Sequence, residues 1–141
     1  MFDPSREEAR RFFIEAWRKG QARELVSPLE DLAIRLIALH PDYHELLAGG
    51  EAALAREWTP ESGEANPFLH LSLHLAVEEQ LSIDQPPGLR AAFEALLARA
   101  GERHAALHGV MECLGEALWR AQRDGGAPDG PAYVDCVRRW R

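Results

Sequence analysis

Asn66-Pro67-Phe68-Leu69-His70-Leu71-Ser72-Leu73-His74-Leu75-Ala76-Val77-Glu78-Glu79-Gln80 is the stretch from which the rest of the chain is read. Asparagine followed by proline is a helix start, with the Asn66 side chain as cap and Pro67 in the first turn. The residues that follow are apolar on nearly every side, the mark of a buried helix. Apart from Ser72, the polar positions before the last turn are His70, His74 and Glu78, each four residues from the next. Four-residue spacing puts them on one helical face. Polar groups in such a helix need partners, because burying them bare costs several kcal/mol.

The spacing recurs. All six histidines fall into pairs four apart: His40/His44, His70/His74 and His104/His108. Random placement predicts about 0.2 such pairs from this composition. His104 and His108 also extend to Glu112, so two His-x-x-x-His-x-x-x-Glu rows are present. The second row runs beside a core stripe of Leu107, Met111, Leu114 and Leu118, where Gly109 and Gly115 let another helix approach closely. On a helix each pair is a two-toothed metal claw. His40 precedes Pro41, and a residue before proline is biased away from helical geometry. Two readings therefore stand for His40/His44: metal ligands, or a feature capping a helix end.

His70 and Glu78 lie about 12 Å apart along a helix axis, so one ion does not take a whole row. Two ions roughly 3.5–4 Å apart would use both rows; a single ion held by four side chains is the simpler arrangement. The expected ligands are His40, His44, His70, His74, Glu78, His104, His108 and Glu112. Glu45, Glu79 and Glu116 are candidates for bridging or proton-transfer roles. A donor set this rich in imidazole suits a transition metal such as zinc, iron or nickel.

Outward from these rows, helix signals dominate. Asp3 and Pro4 open a first helix with Phe12, Phe13, Ala16 and Trp17 on its apolar face and Gly20 as a stop. Ser27-Pro28-Leu29-Glu30 is a capping box leading into a helix with apolar Leu29, Leu32, Ala33, Leu36, Ile37 and Leu39. Residues 51–58 read as a short helical piece and 59–66 as a polar loop. Residues 82–88 form a rigid turn, 88–100 another helix and Gly101 a break. The third His pair opens a helix running through Trp119, Gly125 to Pro128 is a linker, and a short helix begins near Asp129. No stretch alternates as a strand does. The expectation is an all-α helical bundle with short capping helices, one domain over residues 1–141.

A net charge of −7 speaks against nucleic acid as a partner, which calls for a basic footprint. No apolar run approaches the roughly 20 residues that span a bilayer. The N-terminus lacks the apolar segment of a signal peptide. Cys113 and Cys136, few and far apart, read as reduced thiols of a cytoplasmic protein. Nucleophile elbows and phosphate-cradling glycine loops are absent. Oligomeric state is left open.

Asn66 to Arg90, with Met111-Glu112-Cys113-Leu114-Gly115-Glu116 and the opening Phe2-Asp3-Pro4-Ser5-Arg6, resembles a family of small proteobacterial proteins of unknown function. The likeness covers essentially the whole chain and implies no activity. In style of site the rows are similar to hemerythrin-like and other di-metal helical bundles. This chain departs from them: it has no late His/Asp motif and no Glu-x-x-His pattern. The functional expectation is a transition-metal-binding helical bundle. It is either an enzyme of metal-dependent hydrolysis or oxygen/redox chemistry, or a closed module without turnover. The alternative is a helical interaction protein whose histidines and glutamates form a buried hydrogen-bond network without metal.

Overall fold

Ser27 shows how local chemistry starts these helices. Its hydroxyl accepts from the Glu30 N–H at 3.1 Å, and the Glu30 carboxylate accepts from the Ser27 N–H at 2.9 Å. The box is closed in both directions, as its sequence predicts. The other Glu30 oxygen accepts from Lys19 Nζ at 2.8 Å, tying two helices together. Lys19 and the Ser27 N–H hold the Glu30 carboxyl below the usual carboxylate range.

The computed structural model describes residues 6–58 and 66–141. Asp3, Pro4 and nearly all of the 59–66 loop lie outside the described residues. The helices are α1 Arg6–Gln21, α2 Pro28–Ala38, α3 His44–Ala48, α4 Glu51–Ala55, α5 Pro67–Ile83, α6 Leu89–Ala100, α7 Arg103–Asp124 and α8 Gly130–Arg139. A 3-10 turn, Pro41–Tyr43, links α2 to α3. The described residues contain no strand, so the fold is all-α. No helix among them is long and apolar enough to cross a membrane.

By its contacts the chain divides into two compact units, with the boundary inside α5 between Leu75 and Ala76. In the N-terminal unit α1 packs on α2, α3 and α4. Phe13, Ala16, Ala33, Leu36, Ile37, Leu47, Phe68 and Leu71 form its core. Leu39, expected on the apolar face of α2, is 56% exposed because the helix ends one residue earlier. Arg10 is buried in this unit. Its Nη1 donates to the carbonyls of Ala53, Leu54 and Arg56 at 3.2, 2.9 and 2.7 Å. Those carbonyls end α4, where no intrahelical N–H remains for them. The guanidinium also lies 5.1 Å from the ring centres of both Trp58 and Phe68, a cation–π arrangement.

In the C-terminal unit α6, α7 and α8 pack on one another pairwise. Leu89, Phe93, Leu96, Leu107, Val110, Leu114, Val134 and Val137 are buried there. Gly109 is where a small residue matters: a Cβ added to it would stand 2.7 Å from Trp140 and 3.3 Å from Leu96. Gly115, expected to act the same way, has nothing within 4 Å of such a Cβ, and Leu118 is 41% exposed. The close approach is thus confined to the N-terminal half of α7. Arg99 repeats the device of Arg10, donating to the carbonyls of Arg138 and Trp140 at 3.1 and 3.0 Å where α8 ends.

One expectation changes here. Cys113 and Cys136 are joined as a disulfide between α7 and α8, with Cα atoms 5.8 Å apart. A separation of 23 residues looked too long for a bond, but two antiparallel neighbours joined by a short linker bring such positions side by side. The thiol argument for a cytoplasmic setting goes with it. The turn expected over 82–88 is found from Asp84 to Gly88, while Ser82 and Ile83 extend α5. Asp84 accepts from the Arg90 N–H at 2.9 Å, and Arg90 reaches back to the Leu81 and Ser82 carbonyls.

Candidate metal centre

His40 and His44 begin as helix caps. Pro41 holds His40 at φ −127° and ψ 70°, outside helical geometry. The last carbonyls of α2 accept from the Leu39 and His40 N–H groups, at 3.1 and 2.9 Å, and keep a second lone pair for another donor. His40 Nδ1 lies 2.7 Å from the Leu36 carbonyl, and His44 Nε2 lies 2.9 Å from that of Ile37. A carbonyl only accepts, so both of these ring nitrogens carry the hydrogen. In each neutral ring the other nitrogen is left with a lone pair: Nε2 in His40, Nδ1 in His44. His44 lies against Trp17, ring centres 4.4 Å apart. The pair therefore divides. His44 serves the end of α2 and stacks on α1, while His40 turns its lone pair toward α5.

On α5 it meets His70 and His74. The three ring centres are 4.9 Å (His40–His70), 5.0 Å (His40–His74) and 4.9 Å (His70–His74) apart, a nearly equilateral group. His74 is fully buried and His40 is buried. Their burial follows from the apolar surroundings that α2 and α5 supply, Leu36, Ile37, Leu71 and Leu75. Tyr43 stacks flat on His40 with ring centres 5.0 Å apart, and its edge faces His70 at 6.1 Å. His40 Nε2 and His70 Nε2 are 3.1 Å apart. Two imidazole nitrogens bound at about 2.0–2.1 Å to a tetrahedral ion stand about 3.3 Å apart. The observed spacing is close to that bite. It is also the length of an ordinary N–H···N hydrogen bond.

In the C-terminal unit His104 and His108 occupy the first turns of α7, half-buried, with ring centres 4.2 Å apart. Glu102 caps that helix through the N–H groups of His104 and Ala105 at 2.9 and 2.8 Å. Those two N–H groups hold its carboxyl below the usual range. Each of His40, His74, His104 and His108 offers one ring nitrogen as a metal ligand.

The glutamates of the two rows are placed differently. Both oxygens of Glu78 accept from Arg103, at 2.9 and 2.7 Å, a fork-to-fork pair. Glu112 is exposed to solvent. Of the auxiliary candidates, Glu45 is exposed, Glu79 is half-buried and Glu116 pairs with Arg120 at 2.7 Å. Sequence reasoning missed Arg103 as the partner of Glu78, Tyr43 as a wall on His40, and Trp17 as the support of His44. Only Tyr43 carried a signal, as an aromatic beside the His40-Pro41 break; the other two depend on packing across 25 or more residues.

The model of one protein family, described as a domain of unknown function (DUF1841), matches residues 5–139, so the chain belongs to that family. No curated protein and no solved structure matches.

Proposed function

We propose that this member of the DUF1841 family is a transition-metal-binding helical protein whose ion is held by imidazoles. The observation that carries the reading is the close group of buried His40 and His74 with half-buried His70, the tautomer of one member set by a backbone carbonyl. A carbonyl that fixes which nitrogen keeps its hydrogen is the usual support of a metal-binding histidine. His104 and His108 are a separate pair of candidate imidazole ligands within the C-terminal unit, and counting ions distinguishes one metal from two. With Glu78 on Arg103 and Glu112 in solvent, the donors are chiefly neutral nitrogen, which favours zinc, iron or nickel over magnesium or calcium. Neutral ligands leave the charge of a divalent ion largely uncompensated. A water, hydroxide or anionic substrate at an open position balances it, which is how hydrolytic or oxygen chemistry would enter.

A second reading rests on the same 3.1 Å contact. His70 Nε2–H donates to the lone pair of His40 Nε2, and the rings form a hydrogen-bonded group that serves a helical interaction protein without metal.

Elemental analysis and native mass spectrometry of the full chain, purified without a histidine tag, tell the two apart. The metal reading predicts at least one equivalent of a transition metal. It predicts a lower stoichiometry in His40→Ala and His74→Ala and an unchanged one in His44→Ala. Folded protein that stays metal-free after incubation with zinc, iron and nickel salts would leave the hydrogen-bonded group as the answer.

A further inference from the structure

The Cys113–Cys136 bond lines an open groove of about 740 Å³ in the C-terminal unit, built from α7, the 125–129 linker and α8. The volume is in the range of small-molecule sites. Its two sulfurs are not equivalent. Cys113 is 2% exposed, while Cys136 is partly open to solvent. Charged side chains of both signs surround them: Arg120 with Glu116, Arg123 with Asp124, and Arg139 with Asp135. Each of these ion pairs is exposed and joins neighbours on one segment, so each is worth less than about 1 kcal/mol. A ligand carrying both carboxylate and ammonium groups can replace such partners at little cost.

We propose that this groove binds a small zwitterionic thiol and that Cys113–Cys136 is an exchangeable disulfide that forms a mixed disulfide with it through Cys136. The thiolate of the ligand attacks Cys136 Sγ from the groove. A bond forms between the two sulfurs, the Cys113–Cys136 bond breaks, and its electron pair leaves on Cys113 Sγ, which takes a proton from water. Cys113 can then attack Cys136, expelling the ligand thiolate and restoring the bond. Alternatively a second ligand thiolate attacks the ligand sulfur of the mixed disulfide. That step releases the oxidised, dimeric ligand and leaves both cysteines reduced. The only reductant required is the thiol itself. The site is separate from the imidazole group and stands without it.

The test uses the oxidised full-length protein and two probes, reduced glutathione and the neutral thiol 2-mercaptoethanol, at matched thiolate concentration. Opening is stopped with acid, Cys113 is alkylated, and the adduct is located by peptide mass mapping. Recognition predicts that glutathione opens the bond about tenfold faster despite its bulk, with the adduct on Cys136. In Arg120→Gln/Arg139→Gln, both exposed and away from the core, the advantage should fall below about threefold. A rate ratio below about fivefold in the wild-type chain, an adduct mainly on Cys113, or an unchanged advantage in the double variant overturns the proposal.

Discussion

Reducing the Cys113–Cys136 bond should destabilise the C-terminal unit by an amount that the chain separation predicts. The bond closes a loop across 23 residues of sequence separation. In the chain-entropy description, opening such a loop returns roughly 11 cal/mol/K to the unfolded chain, about 3.4 kcal/mol at room temperature. The folded state loses little in exchange, since a buried thiol such as that of Cys113 behaves as a small apolar group. Chemical reduction is the cleaner perturbation, because Cys→Ala at a site 2% exposed would add the cost of a cavity. Urea unfolding of the full chain, with and without a phosphine reductant, gives the difference. Amide hydrogen exchange localises it, and protection should fall first in α8, which the bond ties to α7. A stability difference below about 1 kcal/mol, or equal loss of protection in α1 and α8, would refute the reasoning. An intact-mass measurement finding two blocking groups attached, in protein purified with an alkylating agent and no reductant, would remove its premise.

Gly109→Ala gains up to about 1 kcal/mol of helix propensity but places a Cβ 2.7 Å from the Trp140 ring. Overpacking of that kind costs about 1–3 kcal/mol, so a net loss with a shifted Trp140 environment is expected in denaturant melts; a gain in stability would show that the ring moves aside freely. Arg10→Met removes the donor shared by three carbonyls at the end of α4 and should cost about 3 kcal/mol or more; a melt within about 1 kcal/mol of wild type would show that water takes its place. Asp84 has its carboxyl held below the ordinary value of 3.8 chiefly by the Arg90 N–H, with burial opposing and the Gly88 N–H assisting. Its contribution is complete above that ordinary value and is lost as pH falls through the lower folded one. Wild type should therefore lose more stability than Asp84→Asn on acidification below pH 3.8, and parallel acid profiles would exclude the effect.

How far the sequence reached depends on the range of the interaction. Helix starts were legible because they are made within three residues: Ser27 with Glu30, Asn66 with the N–H of Phe68, Asp129 with the N–H of Ala132. Helix ends at Gly101 and Gly125 were legible because both adopt positive φ, 78° and 73°, where glycine is at ease. The four-residue spacing of the histidines also survived, since it is a property of helical geometry alone: His70 and His74 face one another at 4.9 Å, and His104 and His108 at 4.2 Å.

What each of those side chains meets was decided by tertiary structure. His40 and His44 looked like one claw, yet the break at Pro41 sends one ring to α5 and the other to Trp17. Glu78 looked like the third member of a metal row until Arg103, 25 residues away, took both its oxygens. The two cysteines looked unrelated until α7 and α8 were laid side by side. Spacing along a helix follows from bonds between neighbours and can be read from the chain. The partner across a helix–helix contact depends on where many apolar faces come to rest together, and that is settled only when the chain packs.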